Sequence, residues 1–143
     1  MFACSREFAE GIKKAIAGEA EAIQFYRRLL QMTRQREDRE IISGILEDEQ
    51  RHHRTFCSLY QSLTGMRPEM GRGETEMPES YLDALFEAVE DEVEAADFYS
   101  ELYVATQDFT IRDLLFAIIN DELGHASLLN LLYAKSACGR RDY

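Results

Sequence analysis

The sequence predicts an all-α protein, a bundle of four helices in which two antiparallel hairpins are joined by a long crossover loop. Only two of the 143 residues are proline and eight are glycine, which is too few for a turn-rich all-β chain. Apolar residues recur at alternating steps of three and four, the spacing of helices that bury one face. The chain length suits one domain, and we predict a single domain over residues 1–143.

Four segments carry this spacing, and each predicts one helix. Their apolar stripes run from Phe8 to Leu30, from Ile42 to Leu63, from Leu82 to Tyr103 and from Ile111 to Leu132. Strand-like alternation of apolar and polar residues is absent. Short turns at about 33–37 and 106–110 predict two hairpins, at about 5–63 and 78–136.

The segment between the hairpins, about residues 64–78, predicts the crossover loop. It holds both prolines and three of the eight glycines. Fifteen extended residues reach roughly 50 Å, whereas a bundle helix of about 27 residues is roughly 40 Å long. The loop can therefore run the length of the bundle, which would make the second and third helices parallel. Ser5 and Ser80 are the expected N-caps of the first and third helices, and the charged run 34–40 is expected to be solvated surface.

The two halves of the chain repeat. A shift of 73 residues aligns residues 8–63 with 81–136 without a gap and gives 15 identities in 56 pairs. Chance matching at ordinary composition gives roughly three or four. The sequence therefore predicts two copies of one helical hairpin.

Six ionisable residues occupy the apolar seams at a common depth. An ionised carboxylate in a dry core is costly unless it is paired or bound to a metal, and no Lys or Arg shares the seam. Each Glu-x-x-His places its two side chains on one helix face. Four carboxylates balance two divalent cations, and oxygen and nitrogen ligands suit iron or manganese better than structural zinc. We therefore predict two metal ions, iron with manganese as an alternative, bound by Glu19, Glu49, His52, Glu92, Glu122 and His125.

Two further repeated pairs are candidates for supporting roles. Metal-binding histidines usually donate their other N–H to a carboxylate, and Asp48 and Asp121 could each serve the histidine of the other hairpin. The hydroxyls of Tyr26 and Tyr99 could bond a ligand carboxylate or relay a proton, and core packing is the alternative. His53 has no counterpart in the second half and is expected at the surface.

The motifs resemble the rubrerythrin-type di-iron domain of the ferritin-like superfamily over residues 8–136. "AGEAEAIQFYRRL" and "DEVEAADFYSEL" are similar to its first and third helices, and "EDEQRHH" and "NDELGHA" to its second and fourth. Asp48 and Asp121, each just before a ligand Glu, are similar to the Asp-Glu-x-x-His arrangement of bacterioferritin. Two departures are evident: Ala95, mirrored by Ala22, stands where typical rubrerythrins have one more ligand Glu, and the sequence lacks the Cys-x-x-Cys pairs of a rubredoxin domain.

The resemblance implies an oxidoreductase that reduces hydrogen peroxide or reacts with dioxygen and takes electrons from an external, rubredoxin-like donor. The alternatives are a ferroxidase or iron-storage protein, and a non-catalytic bundle held together by its metals. A net charge of −11 argues against nucleic acid as a partner. No apolar run could span a membrane, and the N-terminus does not resemble a signal peptide. With three cysteines in no paired motif, we expect a cytoplasmic protein, and we expect a homodimer.

Overall fold

The computed structural model describes residues 6–71 and 73–139. Over these ranges it contains four helices and no strand, which confirms the all-α prediction. The helices are α1 (Arg6–Leu29), α2 (Arg36–Thr64), α3 (Tyr81–Ala105) and α4 (Phe109–Cys138). Within the described residues, no helix combines the length and the apolar character needed to cross a membrane.

The helix ends follow ordinary capping chemistry. Ser80 caps α3 as expected, because its side chain accepts a hydrogen bond from the Asp83 N–H. Asp108 does the same for α4, and Gly65 ends α2 in the left-handed conformation, with φ of 72°. The first turn, residues 30–35, lies earlier than predicted because α1 ends at Leu29 and α2 begins at Arg36, and the second turn, residues 106–108, is shorter than predicted because α4 begins at Phe109. Ser5, the expected cap of α1, lies outside the described residues.

The two hairpins cross as the loop length predicts. The Tyr81 hydroxyl of α3 donates to the Asp38 carboxylate of α2 at 2.9 Å, and the Tyr99 ring packs on the Phe56 ring with centroids 5.0 Å apart. In both pairs the α3 residue follows its α2 partner by 43 positions, so the two helices run parallel. The crossover loop therefore spans the length of the bundle.

Two apolar clusters fill the interior and leave a polar layer between them. The first cluster takes residues 8–16 of α1 and 56–60 of α2, together with 99–102 of α3 and 111–118 of α4. The second takes residues 25–29 and 42–45 of the first hairpin, and 84–88 and 129–132 of the second. The six ionisable residues fall between these ranges on every helix. The fold thus places a charged layer at mid-height and excludes water from both sides of it.

The charged run 34–40 is not wholly solvated, so that prediction was wrong for Asp38. Asp38 is only 1% exposed, and its carboxylate accepts hydrogen bonds from Tyr81 and from the Lys135 ammonium at 2.5 Å. The crossed topology is the reason, since it brings the start of α3 and the end of α4 to the start of α2.

The crossover loop is fixed against α1 close to the polar layer. Gly73 adopts φ of +60°, and a Cβ there would lie 2.3 Å from the Ala20 carbonyl oxygen. Arg28 donates to the Thr75 carbonyl oxygen at 2.6 Å. Only glycine allows so close an approach with this φ, so the loop has a defined position.

Candidate metal centre

The structure brings all six predicted ligands together at the middle of the bundle. Each is at most 3% exposed. Their ligand atoms form two overlapping groups, and the atoms of each group lie within 4.8 Å of one another. Glu49 and Glu122 belong to both groups, Glu19 and His52 to the first alone, and Glu92 and His125 to the second alone. The arrangement therefore offers two adjacent positions that share two carboxylates.

The two positions are built alike. His52 Nδ1 lies 3.0 Å from Glu122 Oε1 and 3.9 Å from Glu19 Oε2. His125 Nδ1 lies 3.1 Å from Glu49 Oε1 and 3.6 Å from Glu92 Oε2. Each histidine thus faces the shared carboxylate of the opposite hairpin, as the sequence repeat requires.

Among the described residues, five buried polar atoms at this centre make no hydrogen bond: Glu19 Oε2, Glu49 Oε1, His52 Nδ1, Glu122 Oε1 and His125 Nδ1. Buried polar atoms nearly always have partners, because an unpaired one carries its full desolvation cost. Oxygen and imidazole nitrogen atoms that converge in this way are the donor set of a first-row transition metal. The residues present therefore fit a metal centre.

Without cations the centre holds protons instead. Burial and the neighbouring carboxylates Glu122 and Glu92 raise the pKa of Glu49 to about 8. Burial, with repulsion from Glu92 and Glu19, raises the pKa of Glu122 to about 11. Burial alone would lower the pKa of His125, but the facing carboxylates Glu49 and Glu92 outweigh it and raise that pKa to about 11. Divalent cations would replace these protons.

Asp48 and Asp121 hold the outer sides of the two histidines. Asp121 Oδ2 lies 2.9 Å from His52 Nε2, and Asp48 Oδ2 lies 2.9 Å from His125 Nε2. A carboxylate partner favours the proton on Nε2 and leaves the Nδ1 lone pair directed into the centre. Each aspartate comes from the hairpin opposite to its histidine, in the pairing expected from the sequence.

Arg51 joins these two aspartates and was not singled out from the sequence. It donates to Asp48 Oδ1 at 2.6 Å and to Asp121 Oδ2 at 2.9 Å. Although partial burial would raise the pKa of Asp48, hydrogen bonds from His125 and Arg51 lower it. The signal that could have drawn attention to Arg51 is a break in the repeat, because its counterpart is Gly124.

Each of the two tyrosines donates a hydrogen bond to a ligand carboxylate of the other hairpin. The Tyr26 hydroxyl donates to Glu92, and the Tyr99 hydroxyl donates to Glu19. These pairs also show that α1 and α3 run antiparallel, because the later residue of one helix meets the earlier residue of the other. Burial, followed by the nearby carboxylates, raises the pKa of both phenols, so the hydroxyls stay protonated.

The sequence model of the rubrerythrin family matches residues 10–133. The chain belongs to the rubrerythrin family. It is 36% identical over 115 residues to the uncharacterised protein YhjR of Bacillus subtilis (strain 168), covering 80% of this chain and 79% of that protein.

Solved structures agree with this family on the fold. Ferritin-like, diiron-carboxylate proteins from Bacillus anthracis str. Ames superimpose with a TM-score of 0.78 at 22% identity, covering 90% of this chain and 96% of theirs. A hypothetical protein from Pyrococcus furiosus has a TM-score of 0.80 at 22% identity, covering 89% and 88%. The ferritin-like four-helix bundle predicted from the sequence is thus confirmed.

A cavity of about 660 Å³ leads from the surface between α1 and α3 of this rubrerythrin-family chain to the carboxylates. Small residues line it beside the centre, among them Gly18, Ala22 and Ala95. Ala95, where typical rubrerythrins have a further ligand Glu, leaves this space open. Besides the metal-centre glutamates, the charged lining residues are five carboxylates, Glu21, Asp91, Glu94, Asp97 and Glu101, and one ammonium group, that of Lys14.

His53 is not at the surface, so that prediction was wrong. It is 9% exposed, and its ring lies 3.9 Å from Cys57 Sγ. His53 stands three residues before Phe56 and four before Cys57, and it therefore lies at the edge of the face that α2 buries.

Proposed function

We propose that this chain is a non-haem di-iron carboxylate oxidoreductase that reduces hydrogen peroxide with electrons from an external donor. The observation that carries the proposal is the convergence of five unpaired buried N and O atoms in two groups that share Glu49 and Glu122. When bound, two ferrous ions supply two electrons, the number that one peroxide molecule consumes. Manganese would fit the same donor atoms.

Each ligand has a distinct part in this proposal. Glu49 and Glu122 would contact both metal positions, because their oxygens belong to both groups. The remaining ligands would each serve one position, Glu19 with His52 and Glu92 with His125.

The surrounding side chains hold the ligands and supply protons. Asp48 and Asp121 fix the imidazoles, so Nδ1 is available without rearrangement. Reduction of peroxide to two water molecules consumes two protons. The Tyr26 and Tyr99 hydroxyls each hold a proton against a ligand carboxylate and also line the cavity, and we assign them as relays that pass a proton to the centre and regain one from the cavity.

Access and electron supply set the remaining requirements. The cavity between α1 and α3 admits a small oxidant to the carboxylates, while the two apolar clusters exclude water above and below. These 143 residues contain no Cys-x-x-Cys motif, and we propose that a rubredoxin-like electron donor reduces the centre.

The acidic cavity favours a second candidate, ferroxidase action. Five carboxylates against one lysine attract ferrous ions but do not steer a neutral peroxide molecule. Iron would then be substrate as well as resident metal. A third candidate is a bundle that its metals only stabilise.

Stopped-flow mixing of the ferrous protein with peroxide and with dioxygen separates the three candidates. Peroxidase function predicts that peroxide oxidises the iron faster. A clear preference for dioxygen favours the ferroxidase, and inertness to both oxidants favours a structural role.

A pair of matched variants tests the site itself. Glu49→Ala with Glu122→Ala should abolish tight binding of two metals per chain. Glu21→Gln with Glu94→Gln also removes two glutamates related by the repeat, but at the cavity lining. This control should keep both metals and the peroxide rate, and it should slow iron loading if iron enters through the cavity. Two tightly bound metals in the Glu49→Ala, Glu122→Ala variant would contradict the assignment.

A further inference from the structure

The cavity between α1 and α3 has one acidic wall and one wall of small residues. Four of its five outer carboxylates lie on α3, at steps of three or four residues from Asp91 to Glu101, so they share one side of that helix. The α1 wall includes Ala17, Gly18 and Ala22, and a Cβ added at Gly18 would have open space around it. A charged surface and a largely apolar surface therefore face each other along the cavity.

The charge of the acidic wall is not balanced within the chain. At the inner end of the cavity, Glu19, Glu49 and Glu122 each have a buried oxygen that makes no hydrogen bond, and two divalent cations would neutralise that end. The five outer carboxylates would still face only the Lys14 ammonium. Among the described residues none of these five forms an ion pair, and like charges three or four residues apart on a helix repel each other. The cavity is therefore suited to a cationic ligand.

The spread of these carboxylates favours an elongated cation over a metal ion. Asp91 and Glu101 are ten residues apart on α3, which corresponds to about 15 Å along the helix. Within the described part of the chain, the groups of three or more side chains that converge closely enough to hold a metal ion are the two of the metal centre. A single point charge would thus find few ligands on the outer wall, whereas a chain of separated charges would find several.

The side chain of Lys14 shows how such a cation is accommodated. A lysine side chain is an alkyl chain that ends in an ammonium group. The Lys14 Nζ lies 4.8 Å from the centroid of the Phe98 ring, within the distance of a cation–π interaction. Both residues line the cavity. The cavity therefore already holds one alkylammonium group, which an aromatic face binds instead of a carboxylate.

The volume of the cavity fits an organic molecule. At about 660 Å³ it lies within the range of roughly 300–1,000 Å³ that is usual for small-molecule sites. A water molecule occupies about 30 Å³ in the liquid, and hydrogen peroxide has only one oxygen atom more. The oxidant alone therefore does not account for the size of the cavity.

We propose that this cavity binds a linear polyamine, a flexible methylene chain that carries several ammonium groups. The ammonium groups pair with the carboxylates along α3, and the methylene groups pack on the small residues of α1. One ammonium group takes the place of Lys14 over the Phe98 ring. A bound polyamine covers the route from the surface to the metal centre. The inference rests on the cavity and does not depend on peroxide reduction.

Isothermal titration calorimetry of the metal-loaded chain with spermidine, a linear polyamine with three ammonium groups, tests the proposal. Spermidine should bind with one molecule per chain. Hexaamminecobalt(III) carries the same three positive charges in compact form and should bind about 10-fold more weakly or worse. The reason is that only the polyamine buries methylene groups on α1 and places an ammonium group over Phe98. A chain that is inert to peroxide would still bind spermidine, so the two proposals fail independently.

Charge-matched variants locate the site. Asp97→Asn with Glu101→Gln removes two charges of the acidic wall and should weaken spermidine binding by about 10-fold. Glu40→Gln with Asp113→Asn removes two exposed charges outside the cavity and should leave the affinity unchanged. Lys14→Gln removes the competing ammonium group and should strengthen binding several-fold.

All of these substitutions are at exposed positions, and circular dichroism checks that each variant folds. Absence of spermidine binding or equal affinity for the two trivalent cations would overturn the proposal. Equal losses in the two double variants, or weaker binding in Lys14→Gln, would also overturn it, because the attraction would then come from the general acidity of the chain.

Discussion

We expect the stability of the folded chain to depend strongly on pH when the centre holds no metal. In the metal-free centre the pKa of Glu49 is about 8 and that of Glu122 about 11, against 4.5 for an unperturbed Glu. At pH values between 4.5 and these raised pKa values, the folded state keeps protons that the unfolded state has lost. The free energy of unfolding therefore falls as pH rises. His125 adds to the same trend above pH 6.5, because its pKa in the folded state is about 11.

The size of the effect follows from the number of protons. Each extra proton in the folded state costs roughly 1.4 kcal/mol of stability per pH unit as pH rises. One to two extra protons over about two pH units, from about 5.5 to 7.5, amount to roughly 3 to 5 kcal/mol. With a denaturant slope of about 2 kcal/mol per molar, the urea midpoint falls by ~2 M. Urea unfolding of chelator-treated protein, followed by circular dichroism, measures this shift.

Two controls test whether the shift in the urea midpoint arises from the metal centre. Glu49→Gln with Glu122→Gln replaces protonated acids by amides that do not ionise, so the metal-free variant should lose most of the pH dependence. It should also be more stable than the metal-free wild type at about pH 7.5. The metal-loaded wild type should show little of the decrease, because its ligands are deprotonated in the folded state. Equal midpoints of the metal-free wild type at both pH values, or an undiminished shift in the variant, would refute the reasoning.

Three further substitutions test single contacts. Tyr99→Phe removes the hydrogen bond to Glu19 and should weaken metal binding by about 10-fold. Asp121→Asn should weaken metal binding by about 10- to 100-fold, because Asp121 supports the ligand His52. A competition titration with a chromophoric chelator measures both, and unchanged affinity would count against these supporting roles. Gly73→Ala should destabilise the fold by about 1–3 kcal/mol, because of its positive φ and the nearby α1 carbonyl oxygen. Gly44 lies in a helix with open space around it, so Gly44→Ala should instead stabilise the fold by about 0.5–1 kcal/mol. Thermal unfolding compares the two variants, and equal effects on stability would contradict the strain argument for Gly73.

The convergence of the six ionisable residues could be predicted because the sequence signal for it is local and repeated. Helical spacing places Glu49 and His52 on one face, and the 73-residue shift supplies the matching pair Glu122 and His125. Distances from the two short turns then fix a common depth. Loop length was enough for the crossed arrangement, because only a long segment can reach from one end of the bundle to the other.

Contacts that depend on the meeting of distant elements were beyond this reasoning. Asp38 belongs to a charged run and appears solvated in the sequence, yet α3 and α4 cover it. Arg51 appears to be an ordinary surface residue of α2 until α4 brings Asp121 to it. The position of Gly73 against α1 likewise depends on the path of the crossover loop, for which no periodic signal exists.

The single guanidinium of Arg51 makes the two halves of a repeated site unequal. At Asp121, Oδ2 accepts from both Arg51 and His52, whereas Asp48 accepts from Arg51 through Oδ1 and from His125 through Oδ2. A carboxylate oxygen that accepts two hydrogen bonds is a weaker acceptor for each donor than an oxygen that accepts only one, so it polarises each donor N–H less. His52 is therefore the less electron-rich imidazole and His125 the more electron-rich. Because the other half holds Gly124 at the equivalent position, two metal ions at this centre would differ in affinity and in reduction potential although their ligand sets are the same.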